Sequence, residues 1–185
     1  REGIEEIARA VQESTGVTAR LACETAVRKF QHRLPWIYQG LEEPESVAAA
    51  KTEYKRRKSK SQIEIVSECT GEGEYATDER AREEMRKELY KRFDYSNIEL
   101  SLLPDKEIVR KAVIGELEEL RDALLGKIQA DIAAELGDVL WCMESWERIE
   151  QSIEGVGSRK ENTAKHVVAC LTERVARQIA SSVTA

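Results

Sequence analysis

The sequence contains few residues that break helices and few aromatic side chains. Its 185 residues include 10 glycines and 3 prolines, and aromatic residues account for 5%. This composition, together with abundant Glu, Lys, Arg, Ala and Leu, favours a mostly helical fold. Hydrophobic residues still make up 41% of the chain, which is enough for a packed core and excludes a wholly disordered protein.

Histidine, cysteine and long apolar runs are also scarce. The two histidines exclude a multi-histidine metal centre, and the four cysteines lie far apart without a CxxC pair, which argues against a zinc site. Sparse cysteine fits a reducing compartment, so we expect a cytoplasmic protein. The longest apolar stretches fall short of the roughly 20 residues that a membrane helix needs, and no signal peptide is recognisable, so no membrane partner is expected.

The charge balance is acidic, with a formal net charge of −6. A protein that binds the phosphate backbone of nucleic acids needs a basic excess, so nucleic acid is not an expected partner. One basic run, Lys55–Lys60, is better explained as a solvated helix end than as an RNA or phosphate contact.

The spacing of apolar residues predicts a series of helices and therefore an all-α fold. Two long helices joined by a short link should pack antiparallel. The best internal boundary, at residues 69–77, separates an N-terminal helical extension of unknown role (1–77) from a helical bundle that holds the candidate site (78–185). The predicted helices cover residues 3–13, 17–32, 45–60, 78–92 (N-cap Thr77), 104–125 (C-cap Gly126), 128–153 and 161–180. Residues 35–40 are predicted to form an aromatic loop. Residues 62–66 alternate briefly between polar and apolar side chains.

Four carboxylates lie beside the apolar stripes of the two long helices. On the first helix, Glu116 and Glu119 fall among the small apolar residues that widen the stripe; on the second, Glu135 and Asp138 lie along one edge. Each pair is spaced i, i+3, so its members share a helix face. The stripes consist of Val109, Val113, Leu117, Leu120 and Leu124, widened by Ile108, Ala112 and Ala123, and of Ile132, Leu136, Val139, Met143 and Trp146.

Ionised carboxylates beside a core are destabilising unless something compensates their charge. Four of them converging would also raise one another's pKa. Mg²⁺ would compensate them, because it prefers oxygen ligands, keeps some waters and bridges to phosphate. The alternative is that Glu116 and Glu135 pair with Lys or Arg inside the bundle, and spacing alone does not decide between the two interpretations.

The motif residues resemble those of a known family. Residues 115–120 (Gly-Glu-Leu-Glu-Glu-Leu) and 134–141 (Ala-Glu-Leu-Gly-Asp-Val-Leu-Trp) are similar to the signature of the MazG family, which is ExxE, a variable spacer and ExxD. This all-α group of nucleoside triphosphate pyrophosphohydrolases includes dimeric dUTPases, dCTPases and phosphoribosyl-ATP pyrophosphohydrolases. The string Glu-Leu-Gly-Asp-Val-Leu-Trp is the most specific part of the match.

The resemblance implies a MazG-like helical bundle, usually a homodimer or homotetramer, with the site between helices. It implies hydrolysis of a nucleoside triphosphate to a monophosphate and pyrophosphate, for nucleotide housecleaning or pool control, with Mg²⁺ (or alternatively Mn²⁺) as cofactor. By motif position, Glu116, Glu119, Glu135 and Asp138 would bind the metal, which would lower the pKa of an attacking water. Glu119 and Glu135 are the predicted catalytic residues, although the sequence does not decide which acid orients that water.

The resemblance is good over residues 104–150 and poor elsewhere. Many family members have another acid just before ExxE, where this chain has Ile114 and Gly115. A different class therefore stays open, namely a helical interaction or regulatory protein that keeps the bundle without its activity. The family also places cations and an amide near phosphate, for which Arg159, Lys160, Asn162 and Lys165 are candidates, with a solvated surface as the alternative. Possible base-stacking residues, each more often found in a core, are Trp36, Tyr38, Trp141 and Trp146.

Overall fold

A computed structural model of the chain describes residues 2–58, 65, 69, 77–103 and 105–154. Over these residues the chain is mostly helical and contains no strand, which confirms the predicted all-α class for this part of the molecule. No helix in the described ranges combines the length and the apolar character needed to cross a membrane. The helices are α1 (Glu2–Thr15), α2 (Ala19–Arg33), α3 (Pro35–Tyr38), α4 (Val47–Lys58), α5 (Asp78–Asp94), α6 (Lys106–Gly126) and α7 (Gln129–Glu154).

Local signals set most of the helix boundaries. The Thr77 side chain accepts a hydrogen bond from the Arg80 backbone N–H, so it caps α5 as predicted. Asp105 caps α6 in the same way, through the N–H of Ile108. At the other end of α6 the prediction was one residue off, since the capping position with left-handed backbone (φ 58°) is Lys127 rather than Gly126.

The aromatic segment at residues 35–40 differs from its prediction as a loop. Its first four residues form the single helical turn α3, with Pro35 at the start, where a missing N–H is tolerated. Trp36 is buried, and its indole Nε1 donates to the Leu100 carbonyl at 3.0 Å. The segment therefore packs as a plug in the core. The predictions for residues 161–180 and, apart from residues 65 and 69, for residues 59–76 lie outside the described part of the chain.

Helix α7 is the centre of the bundle. It packs against α6 on one side and against α2 and α5 on others, and α2 also packs on α5. The five residues of its predicted stripe are all buried, but so is much of the rest of the helix, which the helical wheel did not indicate. The additional buried residues of α7 are Ala133, Ala134, Gly137, Leu140, Trp141 and Ser145.

Gly137 allows α2 to lie unusually close to α7. A Cβ atom at this position would come within 2.5 Å of the Ala22 carbonyl oxygen and 3.3 Å of the Ala26 Cβ. One turn further along, the Phe30 ring stacks on Trp141 with centroids 4.1 Å apart. Part of segment 1–77 therefore shares a core with segment 78–185, while the division of the chain at residues 69–77 stays a prediction.

Candidate functional site

Helices α6 and α7 form an antiparallel pair that carries the candidate site. The chain reverses at Lys127–Ile128, and Lys106 at the start of α6 pairs with Glu150 near the end of α7. The buried residues of α6 are Val109, Val113, Leu117 and Leu120, which are four of the five stripe residues that the wheel predicted; the fifth, Leu124, is only partly buried. Ile108, however, is 55% exposed, so the widened stripe does not extend as far as predicted.

Three of the four predicted acids meet where α6 faces α7. Glu116 and Glu119 of α6 and Glu135 of α7 each place a carboxylate oxygen within 4.8 Å of the others. Glu116 and Glu135 are half-buried, whereas Glu119 is exposed at the solvent side. Three carboxylates at this separation offer the oxygen donors that a hard divalent cation prefers.

Within this group, the carboxyl of Glu116 has a raised pKa. Burial first, and then the negative charges of Asp138, Glu119 and Glu135, raise the pKa of its carboxyl to about 7, while the positive charge of Lys29 opposes the rise. Its Oε2 atom is buried, and no hydrogen-bond donor among the described residues reaches it. Near neutral pH this position therefore favours a proton or a cation.

Asp138, the fourth predicted acid, pairs with a lysine that sequence reasoning missed. The ammonium of Lys29 on α2 donates to Asp138 Oδ2, and Lys29 is only 1% exposed. A cation inside the bundle, which the sequence analysis offered as the alternative to a metal ion, is therefore present beside Asp138. A signal was present, since Lys29 lies on the helix face that Ala22 and Ala26 also occupy, and that face is buried.

Cys142 lies between the α7 acids and is not suited to act as a nucleophile. Burial raises the pKa of its thiol, and the negative charges of Glu116 and Asp138 raise it further. The thiol therefore stays protonated, and it is the thiolate that reacts.

The structure describes only some of the other predicted site residues. Trp36, Trp141 and Trp146 are buried in the core. In the basic run, Arg56 and Arg57 bind the Glu53 carboxylate at 2.6 Å, and Arg57 also donates to the His32 carbonyl. The phosphate-binding candidates lie outside the described residues; they are Arg159, Lys160, Asn162 and Lys165.

Comparisons with protein families, with curated proteins and with solved structures found no match. The likeness to the MazG family consequently depends on the motif residues alone.

Proposed function

We propose that the chain is a cytoplasmic, Mg²⁺-dependent nucleoside triphosphate pyrophosphohydrolase with a MazG-like bundle. It would release a nucleoside monophosphate and pyrophosphate, and serve nucleotide housecleaning or pool control as a homodimer or homotetramer. The observation that carries the proposal is the meeting of Glu116, Glu119 and Glu135, with oxygens within 4.8 Å of one another on the two motif helices.

The chemistry of the donor set fits Mg²⁺. All three groups present carboxylate oxygens, and Glu116 Oε2 is buried beyond the reach of any donor among the described residues. A divalent cation would offset the negative charge that these three carboxylates bring together. Glu116, Glu119 and Glu135 would hold it, with Asp138 beside them. When bound, Mg²⁺ neutralises phosphate charge and lowers the pKa of a bound water.

The exposure of the acids suggests a division of roles. Glu119 faces solvent, where a water and the triphosphate arrive, so it is the better placed group to orient the attacking water and accept its proton. Glu116 is more deeply placed and is suited to ligation alone. Glu135 reaches the same point from α7 and remains the second candidate for proton transfer.

The test is pyrophosphate release from a panel of canonical and modified nucleoside triphosphates, with Mg²⁺ and with EDTA. We expect Mg²⁺-dependent release from at least one nucleotide. The variant Glu119→Ala should lose at least about 100-fold in kcat, the lower range for loss of a general base. The matched control Glu118→Ala, one position away on the exposed face of α6, should retain activity. If no nucleotide releases pyrophosphate, the proposed reaction is refuted. If E119A keeps its activity, the assignment of the catalytic site is refuted.

The second candidate function is a catalytically inactive helical interaction protein. It is favoured by the ion pair between Lys29 and Asp138, which already compensates one of the four acids inside the bundle. This alternative predicts no turnover and no stabilisation by Mg²⁺. A rise in melting temperature that depends on Mg²⁺ concentration would count against it, because only a ligand that binds the native state stabilises it.

A further inference from the structure

Helix α2 carries two buried cations on one face. Lys29 is 1% exposed and Arg33 is 6% exposed. They are four positions apart, so their side chains are neighbours on the helix surface, with Cβ atoms about 5–6 Å apart. Lys29 donates to Asp138, whose charge acts on Glu116 of the candidate site. Arg33 therefore lies about one helical turn beyond the residue that joins α2 to this site.

Arg33 differs from the other buried cations because it has no oxygen partner. Lys29 has a carboxylate, and the guanidinium of Arg92 on α5 donates to two backbone carbonyls. Arg33 makes no hydrogen bond and no ion pair with any residue that the structure describes; its Cζ lies 5.8 Å from the ring centroid of Tyr54 on α4. The ring attracts the positive charge, but it supplies no oxygen acceptor for the five N–H donors.

We propose that Arg33 binds an oxyanion, and that in the pyrophosphohydrolase this anion is a phosphate group of the nucleoside triphosphate. The identity of the substrate rests on the proposed function, whereas the anion site depends only on the burial of Arg33 and on its missing acceptor. The sequence analysis did not single out this arginine.

Burial makes an acceptor necessary. A guanidinium that is largely removed from water loses its hydrogen bonds to solvent, and a buried charge without a partner is destabilising. Arginine does not relieve this by losing its proton, because it stays charged in proteins. An anion that accepts several N–H donors at once does relieve it, and the oxygens of a phosphate match the planar fork of a guanidinium.

The helix that carries Arg33 suits it to a phosphate that lies beyond the cation. The three glutamates come from α6 and α7, whereas Arg33 comes from α2, which packs against α7. A triphosphate has more negative oxygens than one divalent cation neutralises, so a further positive group stabilises it. A triphosphate that extends from the glutamates toward α2 would meet the N–H donors of Arg33.

The experiment measures the Kd for inorganic pyrophosphate in Mg²⁺ buffer by isothermal titration calorimetry of the full chain. Arg33→Gln should weaken binding by about tenfold or more, as expected for the loss of hydrogen bonds to a charged group. Arg33→Lys keeps the charge but loses the planar fork, so it should weaken binding by about threefold to tenfold. On a nucleotide that the protein hydrolyses, R33Q should raise KM by about tenfold.

The matched control is Arg28→Gln on the same helix. It removes the same charge from a side chain that is 41% exposed, where solvent and salt screen the charge. R28Q should bind pyrophosphate within about threefold of wild type. An arginine that only held α4 on α2 would change stability and leave the pyrophosphate affinity of the folded protein unchanged.

Three results would overturn the inference. They are absence of pyrophosphate binding in the wild-type protein, equal affinity in wild type and folded R33Q, and an equal loss in R33Q and R28Q. If R33Q does not fold, wild-type crystals soaked in tungstate, which mimics phosphate, decide the question. An anomalous peak within hydrogen-bond distance of the Arg33 guanidinium supports the inference, and the lack of a peak there refutes it.

Failure of the proposed function is distinguishable from these outcomes. Pyrophosphate binding that depends on Arg33, without hydrolysis of any nucleotide, would refute the pyrophosphohydrolase while the anion site stands. Hydrolysis with an unchanged KM and an unchanged pyrophosphate affinity in R33Q would refute the role of Arg33 while the proposed function stands.

Discussion

At Glu116, both burial and the neighbouring negative charges disfavour the ionised carboxylate. The wheel places it next to the apolar stripe of α6, and in the bundle it also meets Glu119 and Glu135. Its pKa rises to about 7 because of burial first and the neighbouring acids second. A group of this kind stabilises the fold when it is protonated or bound to a cation, and destabilises it when it is bare.

Glu116→Gln should change the pH dependence of stability in EDTA. The native carboxyl keeps its proton up to about pH 7, whereas the unfolded chain loses it near the ordinary value of 4.5. The native state binds more protons between these values, so the free energy of unfolding falls as pH rises through this window. E116Q should remove about 1–2 kcal/mol of that fall, a figure reduced for solvent screening of a partly exposed group.

Urea unfolding between about pH 5 and pH 8 measures this effect, and the exposed Glu118→Gln serves as the control. A fall of equal size in E116Q and in wild type would contradict the assignment of the pH dependence to Glu116.

The pair of Lys29 and Asp138 gives a second prediction for single residues. Asp138→Ala should destabilise the protein by about 3–5 kcal/mol, because it leaves a buried ammonium without its partner. The double variant K29M/D138N should lose much less, since both charges are replaced by neutral groups of similar size. Urea unfolding of both variants checks the order. A double variant as unstable as D138A would mean that the loss comes from packing and not from the unpaired charge.

At the scale of the elements, the interface between α2 and α7 depends on one glycine. Gly137 is buried, and its missing side chain leaves space for the Ala22 carbonyl of the neighbouring helix. The same approach places the Phe30 ring on Trp141 and Lys29 on Asp138. Gly115 on α6 differs, because a Cβ atom there would meet nothing within 4 Å.

Gly137→Ala and Gly115→Ala should therefore have opposite effects on stability. G137A forces the Ala22 backbone away and should destabilise the protein by about 2–3 kcal/mol, as overpacking does. G115A should stabilise it by about 0.5–1 kcal/mol, because alanine has a higher helix propensity than glycine and its Cβ atom would meet nothing here. Thermal and urea unfolding of both variants measures the difference. A neutral G137A would show that the two helices lie further apart than described.

At the scale of the whole molecule, the described helices form one core. Trp36 of α3 bonds the Leu100 carbonyl, and the buried Arg92 of α5 donates to the carbonyls of Ser101 and Leu102. The segment before α6 is thus tied to helices from both halves of the chain. Since α2 also packs on α5 and α7, removal of the first half would expose the apolar face of α7.

Unfolding should then be a single cooperative transition. Far-ultraviolet circular dichroism reports all helices, and tryptophan fluorescence reports Trp36, Trp141 and Trp146, so the two signals should give one midpoint. A fragment of residues 78–185 should lack a cooperative transition, because it lacks Phe30 and the rest of α2. A fragment that unfolds cooperatively at the wild-type midpoint would establish 78–185 as an independent domain.

The sequence by itself determined the helices and the acid pairs, because these depend on interactions within a few residues. Apolar spacing predicted the buried stripe of α7 and four of the five stripe residues of α6. The capping side chain of Thr77 set the start of α5, and the i, i+3 spacing placed Glu116 and Glu119 on one face. Short-range errors were small, such as the one-residue shift from Gly126 to Lys127.

The tertiary structure alone decided which charges meet. A helical wheel gives the direction of a side chain from its own axis, but it does not identify the helix that packs there. Lys29 and Asp138 are 109 positions apart, and their contact depends on the approach of α2 to Gly137. Of four carboxylates that look equivalent in the motif, packing therefore placed Asp138 against a buried lysine and brought the other three within 4.8 Å of one another.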